Sequence, residues 1–373
     1  MSTSSFVPGA QRDTLDVTRV GNYTTTTRDA LTGVGAGSLI FNTTQSKVNT
    51  YNGATWDVAS TASVTSQIYQ QRGGPLISTA WTAANPFGGS SAKNTLSADG
   101  LYMAVASSLT GNQALFIFHR ATGSGWIDQF RFAGYCRSAA LSSDGTYCAV
   151  GNGLAGTVGF ANVFIRSGTT WTQQGGSLVG SGNTGNSGQG GSVAINATGD
   201  IIAVGGNADN GNIGAAWIWY RVGTTWTQLT KLVPNDNSGI ASFGINTVFD
   251  ALGTTLIVGG SSDNSANGAI WSFTSTGSGG SAVWTQQSTK LVPVGPGSYG
   301  FGTAGQIALS SDAQILAVSS INGGVIGEGE VDTYHRIANV GAGIWAFDAQ
   351  ILLTITDYNS GTDGYPAFGK SLA

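Results

Sequence analysis

Charge is what this sequence has least of. Asp, Glu, Lys and Arg make up 9% of its 373 residues, against roughly 25% in an ordinary globular chain. Such a surface is solvated by hydroxyls and amides rather than by ions. That composition is expected of surface-exposed adhesive proteins more than of cytosolic enzymes. The 15 basic residues are dispersed and the net charge is -4. No patch is set to neutralise phosphates, so no nucleic-acid partner is expected. Long apolar runs are missing too. None approaches the roughly 20 residues that cross a bilayer, so no membrane insertion is expected.

Cysteine occurs twice, too few for a disulfide framework or a zinc site. Cys136 and Cys148 fall on two strands of one hairpin turning near Asp144-Gly145. Symmetric pairing about that turn sets Cys148 beside Leu141 rather than Cys136, which predicts free, buried thiols. The first residues, Met1 to Asp13, show no basic start and no apolar stretch, and read as no secretory signal. An extracellular-looking composition without an export signal points to a virion component, assembled inside a cell and released by lysis.

What the chain does have is repetition. Arg166-Ser-Gly-Thr-Thr-Trp171-Thr-Gln-Gln returns as Arg221-Val-Gly-Thr-Thr-Trp226-Thr-Gln-Leu and, shortened, as Ala282-Val-Trp284-Thr-Gln-Gln. A second block reads Leu96-Ser-Ala-Asp-Gly100-Leu-Tyr-Met-Ala-Val105. Its further copies begin at Leu141, Ile195, Phe249, Leu309 and, in a looser form, Ala346. Each unit holds four β-prone runs. In the third these are Ser192–Asn196, Ile201–Gly205, Ala215–Arg221 and Trp226–Leu232. Short strands at regular spacing with glycine-bearing turns describe antiparallel hairpins. No segment shows a 3.6-residue apolar period.

The expected fold class is therefore all-β: a β-propeller of six blades, or seven if the N-terminal segment supplies one. Residues 61–373 form the propeller, and a strand at 69–76 is expected to complete the C-terminal blade and close the ring. Gly100, Gly145, Gly199 and Gly253 share one turn position that calls for positive φ. Ala313 and Ala349 take that place in the last two copies, where different turns are expected. The small Ala-Val-Gly strand suits crowded packing between blades. The repeat tryptophans read as packing anchors, each needing a partner for its indole N–H. The fourth strand of the fifth unit reads as missing.

Residues 1–60 have another texture. Two strands, Ser38–Asn42 and Lys47–Tyr51, form a hairpin, and a turn at Asn52-Gly53 leads to Trp56. The first 25 residues read as an extended arm. A two-stranded hairpin is marginal alone, so Ile40, Phe41, Tyr51 and Trp56 are candidate anchoring residues.

Gly37-Ser-Leu-Ile-Phe-Asn-Thr-Thr and Tyr51-Asn-Gly-Ala-Thr-Trp56 resemble a short module near the start of tail-fibre and structural proteins of phages and large DNA viruses. Residues 69–373 resemble the FG-GAP-type propeller family through Gly214-Ala-Ala-Trp-Ile-Trp-Tyr-Arg221, Trp226-Thr-Gln-Leu and Ser242-Phe-Gly244. The resemblance implies an adhesive or interaction surface. Calcium-binding members carry Asp-x-Asp-x-Asp-Gly loops. The matching turns here hold one carboxylate each, too few for the six to eight oxygens calcium takes. Calcium is not carried over.

Candidate chemistry is sparse. His119 and His335 hold matching places before Arg120 and Arg336, but in different units and without metal-ligand spacing. Glu328 and Glu330 are the only glutamates. A glycosidase pair is one reading of them, a solvated edge strand the plainer one. No Gly-x-Ser-x-Gly elbow stands between a strand and a helix, and no Gly-rich stretch carries the Lys-Ser/Thr of a phosphate loop. No cofactor is implied. The loops after the second strands are better candidates. Asp209, Asn210 and Asn212, with Asp263, Asn264 and Asn267, supply hydrogen bonds suited to sugar hydroxyls. Trp217 and Trp271 would stack on rings if exposed. Asp-Asn-Gly turn chemistry is the plainer reading of the same residues.

The expectation is a non-enzymatic virion structural protein, in tail, fibre or capsid surface. Residues 1–60 would contact other virion proteins, and the propeller a host glycan, a receptor or a neighbour. A homo-oligomer in the particle is expected. The alternatives are a cellular adhesion or carbohydrate-binding propeller, and a polysaccharide-acting enzyme.

Overall fold

The computed structural model describes residues 22–23, 39–42, 47–51, 56–58, 94–107, 113–120, 125–277, 279–294, 300–302, 307–320, 330–337 and 344–352. The chain divides into two compact units, Met1–Gly74 and Pro75–Ala373.

The first unit holds a four-stranded sheet in the order β1 (Asn22–Tyr23), β2 (Leu39–Asn42), β3 (Lys47–Tyr51) and β4 (Trp56–Val58). The expected hairpin is its centre, with Ile40 opposite Asn49 and Phe41 opposite Val48. Tyr51 lies opposite Trp56 across β3 and β4. Asn22–Tyr23, expected in an arm, instead pairs with β2 in parallel, Asn22 opposite Phe41. Strands on both flanks pair edges that a lone hairpin leaves open.

Among the described residues the second unit holds five four-stranded antiparallel sheets, each in chain order. Blade 1 is β5–β8 (Asn94–Leu96, Tyr102–Ser107, Ala114–Arg120, Trp126–Ala133). Blade 2 is β9–β12 (Ser138–Leu141, Tyr147–Asn152, Phe160–Ser167, Thr170–Gln173). Blade 3 is β13–β16 (Ser192–Ile195, Ile201–Gly206, Ala215–Val222, Thr225–Leu232). Blade 4 is β17–β20 (Asn246–Phe249, Thr255–Gly260, Ala269–Thr276, Val283–Leu291). Blade 5 is β21–β24 (Ile307–Leu309, Ile315–Ser320, Glu330–Arg336, Trp345–Leu352). The first strands β5, β9, β13, β17 and β21 touch in succession and surround one cavity. This is the arrangement of a β-propeller, with alternating inward residues packed between successive blades. A sixth blade built from 69–76 and the chain end lies outside the described residues.

The last repeat copy needs correction. Of residues 346–354, expected to open a sixth unit, 346–352 belong to β24, the fourth strand of blade 5, and 353–354 lie outside the described residues. Arg336 lies opposite Trp345 and Tyr334 opposite Phe347. The strand that seemed missing is this one. Phe347-Asp-Ala-Gln imitates the turn block, but Trp345 is the repeat tryptophan, and it is buried.

Two features seam the blades. On one face the turns after the first strands form a backbone chain. Ala98 N donates to Ser143 O (2.8 Å), Ser143 N to Ala197 O (3.1 Å), Ala197 N to Ala251 O and Ala251 N to Ser311 O (both 2.9 Å). The four glycines of these turns have φ of 63–71°. Ala313 adopts the same conformation at φ 54°, so its turn does not differ as expected, because the hydrogen-bonded chain dictates it. Toward the other face, the small strand meets the following blade's loop. A Cβ on Gly205 would lie 2.1 Å from Gly244 O, and one on Gly259 1.9 Å from Gly302 O. The repeat tryptophans reach across as well. Trp171 Nε1 donates to Gln129 of blade 1 (3.1 Å), and Trp226 Nε1 to Gln174 (3.2 Å).

Candidate functional site

The loops after the second strands of blades 3 and 4 are built alike. Asp209 is fully buried. Its Oδ1 accepts from Thr184 N at 2.7 Å, and its Oδ2 meets Lys231 Nζ at 2.6 Å. Asp263 is equally buried, accepts from Ser238 N at 2.6 Å and meets Lys290 Nζ at 2.5 Å. Each carboxylate thus ties its loop to the connection entering its blade and to the end of the fourth strand. A buried charge is tolerable only when paired and hydrogen-bonded in this way. Lys231 also donates to Gly182 O at 2.7 Å.

Beyond each aspartate the backbone turns left-handed. Asn210, Gly211 and Asn212 have φ of 48°, 65° and 70°; Asn264, Ser265 and Ala266 have 50°, 61° and 72°. Asn tolerates this region better than most residues. Asn210, Asn212 and Asn264 are exposed, and Asn267 is half-buried. The structure therefore sorts the six predicted polar residues. The carboxylates belong to the scaffold, and three amides face solvent on left-handed turns.

Trp217 and Trp271 are 0% and 1% exposed, so the condition for stacking on a sugar ring is not met. Each indole fills the core between blades, and its N–H is satisfied inside. Trp217 Nε1 donates to Ser181 O at 2.8 Å, and Trp271 Nε1 to Asp236 Oδ1 at 2.7 Å. Burial raises the Asp236 carboxyl, but donors from Lys290 N, Trp271 and Gln286 outweigh it and hold the group below its usual range. Sequence reasoning passed over Lys231 and Lys290. Their signal was the repeated Lys231-Leu-Val-Pro234 and Lys290-Leu-Val-Pro293.

The first strands enclose a cavity of about 490 Å³, lined mainly by aliphatic and aromatic side chains such as Leu96, Leu141, Ile195, Phe249 and Leu309. Among the described residues no charged side chain lines it.

The remaining candidates fall apart in space or are used locally. His119 packs on Tyr102, ring centroids 4.8 Å apart, while His335 pairs with Asp348. Among the described residues, no three His, Cys, Asp or Glu side chains converge as a metal site. Asp99 and Asp144 are spent on their own turns. Asp99 accepts from Ser97 and Leu101 N, which hold it below the usual carboxylate range. Burial raises Asp144, but Thr146 and Ser142 outweigh it. Glu328 lies outside the described residues. Glu330 is fully buried at the start of β23, not on a solvated edge. Cys136 and Cys148 are free and buried, and Cys148 lies opposite Leu141 as the hairpin symmetry required. The anchoring candidates Ile40, Phe41, Tyr51 and Trp56 sit on β2, β3 and β4 of the first unit.

No family model and no curated protein matches the chain. Solved structures do. A candidate 6-phosphogluconolactonase from Bacteroides uniformis superposes with a TM-score of 0.50 at 13% identity, over 70% of this chain and 71% of its own. The periplasmic gluconolactonase of Pseudomonas aeruginosa gives 0.48 at 14%, over 69% of each chain. TolB from Acinetobacter baumannii gives 0.42 at 11%, over 78% of this chain and 56% of its own. The first of these likenesses bears on the fold alone. The fold is a β-propeller. A propeller hosts many unrelated activities, so function must be argued from the site.

Proposed function

We propose that the protein is a non-enzymatic structural component of a virus particle, held through residues 1–60. Its propeller rim meets a glycan or protein partner at the host or particle surface. The observation that carries the reading is the rim of blades 3 and 4. Asn210, Asn212 and Asn264 stand exposed on left-handed turns, and each turn is pinned by a buried Asp–Lys pair. A polar surface held rigid before contact loses little entropy on binding. Uncharged amides suit hydroxyl-rich partners and neighbouring backbone. The scarcity of charge and the viral-type N-terminal segment support the particle location, where the copies form a homo-oligomer. The lactonase likeness, at 13% identity, supplies no residue of a catalytic site.

The test uses full-length protein on a glycan array and on host cells, beside an Asn210→Ala/Asn264→Ala variant. Binding weakened at least tenfold in the variant supports the reading. Equal binding by both removes the rim from it. Mass spectrometry of purified virions that finds no copy of the chain overturns the particle location.

A further inference from the structure

Blade 5 breaks a pattern that blades 3 and 4 share. In those two blades, a buried tryptophan of the third strand lies opposite a valine: Trp217 opposite Val204, Trp271 opposite Val258. Its ring fills the space beside a glycine ending the second strand. A Cβ on Gly206 would come within 2.8 Å of the Trp217 ring, and one on Gly260 within 2.6 Å of the Trp271 ring. In blade 5 the register sets Asp332 opposite Val318 and Glu330 opposite Ser320. Asp332 takes the tryptophan's place and Ser320 the glycine's. Gln350, opposite Asp332, takes the place of Lys231, opposite Trp217. A side chain at position 320 therefore projects into the volume that an indole fills elsewhere.

Ser320, Glu330 and Asp332 are all 0% exposed. Gln350 Nε2 donates to Glu330 Oε2 at 2.9 Å and to Asp332 Oδ1 at 3.2 Å. The other contacts of Asp332 are long: Val294 N and Tyr334 Oη, each 3.4 Å from Oδ2. The Oγ of Ser320 has no hydrogen-bond partner. A buried carboxylate with one amide donor at 3.2 Å and otherwise only long contacts, beside a buried hydroxyl with none, is an arrangement that folding alone disfavours.

We propose that Glu330, Asp332, Ser320 and Gln350 form a binding site for one calcium-type divalent cation. Two carboxylates and a hydroxyl are hard oxygen donors, and an amide flip turns Gln350 Oε1 inward at no steric cost. The donors come from three strands at uneven distances. Calcium tolerates such irregular geometry and completes its shell with water, whereas magnesium demands a regular octahedron. Burial raises the Asp332 carboxyl above its usual range; a bound cation reverses that by favouring the charged form. The site lies apart from the turns after the first strands, whose single carboxylates remain unsuited to calcium.

The experiment uses the full chain stripped with a chelator. Terbium is the probe, because Tyr334 beside Asp332 can sensitise its emission, and calcium is the competitor. The expected result is saturable emission at one ion per chain, displaced by calcium, and a melting temperature that rises with calcium concentration. Asp332→Asn abolishes both effects. Without metal, this isosteric variant melts higher than the parent, because it removes the poorly paired buried charge, and calcium reverses that order. Ser320→Ala weakens calcium binding several-fold and serves as the milder variant if Asp332→Asn fails to fold. No saturable emission and no calcium-dependent melting in the parent chain overturn the proposal. So does emission unchanged in both variants.

Discussion

Arg221 of blade 3 lies over the ring of Tyr147 in blade 2, its guanidinium carbon 4.3 Å from the ring centroid. One blade earlier Arg166 repeats the arrangement over Tyr102 at 4.2 Å. Between blades 4 and 5 the arginine remains, but Arg336 meets Thr255 instead, at 3.4 Å. The joints of blades 1–2, 2–3 and 4–5 thus carry an arginine at one fixed place of the repeat, where blade 4 has Ser275. Arg221 also donates to Gly199 O at 3.2 Å and Gly223 O at 2.8 Å. Arg221→Ala is expected to cost about 1–2 kcal/mol, combining lost stacking with lost hydrogen bonds. Arg221→Lys restores less than half, since an ammonium keeps neither the planar face nor the fork. Urea unfolding midpoints check both, and a cycle with Tyr147→Leu isolates the stacking.

The buried pair of Asp209 and Lys231 makes a sharper prediction. Asp209→Ala leaves a lysine without its counter-charge and frees Thr184 N, with an expected loss of about 3–5 kcal/mol. Removing both charges, as Asp209→Asn with Lys231→Met, is expected to recover most of that loss. The comparison is read from the melting transitions of the parent and the two variants. A double variant as unstable as the single one would contradict the account of the pair as a loop tie.

Two glycine-related substitutions should act in opposite directions. Gly259→Ala places a methyl 1.9 Å from Gly302 O, where backbone on both sides cannot yield, so the seam between blades 4 and 5 opens. The expected loss exceeds about 3 kcal/mol, beyond ordinary overpacking. Ala313→Gly relieves a residue held at φ 54° and is expected to stabilise by about 1 kcal/mol. Soluble yield and thermal melting measure both.

The two thiols give a pH dependence. Burial lifts Cys136 from its ordinary 9.0 to about 12, and burial with the neighbouring Cys136 lifts Cys148 still higher. Above pH 9 the unfolded chain releases these protons while the folded chain keeps them. Stability must therefore fall as pH rises from about 9 toward 12. The Cys136→Ala/Cys148→Ala variant should lose part of that slope. An aromatic disulfide reagent should label neither thiol in the native protein at pH 8 and both after denaturation.

Much of the propeller was legible in the sequence, because strand boundaries follow turn chemistry. In blade 3 the expected strands and the observed ones differ by a residue or so at either end. The position of Cys148 opposite Leu141 followed from symmetry about one tight turn. The misreading of residues 346–352 came from composition: Phe347-Asp-Ala-Gln imitates a turn block, and only pairing with β23 reveals a fourth strand. Site residues were less legible. Alternation places Trp217 and Trp219 on one face of a strand but cannot say that the next blade covers that face. The buried fate of Asp209 likewise depends on Lys231, 22 positions away and a neighbour only once β15 and β16 pair.

The proposed binding surface is the set of exposed amides on the rim of blades 3 and 4. The most direct measurement is binding of full-length protein to host cells, with Asn210→Ala/Asn264→Ala beside a variant of matched stability altered at the opposite face, Leu252→Ala. The account predicts that the rim variant loses at least tenfold in affinity while Leu252→Ala, exposed at 74%, binds like the parent. Equal binding by all three, or loss only in Leu252→Ala, would contradict it.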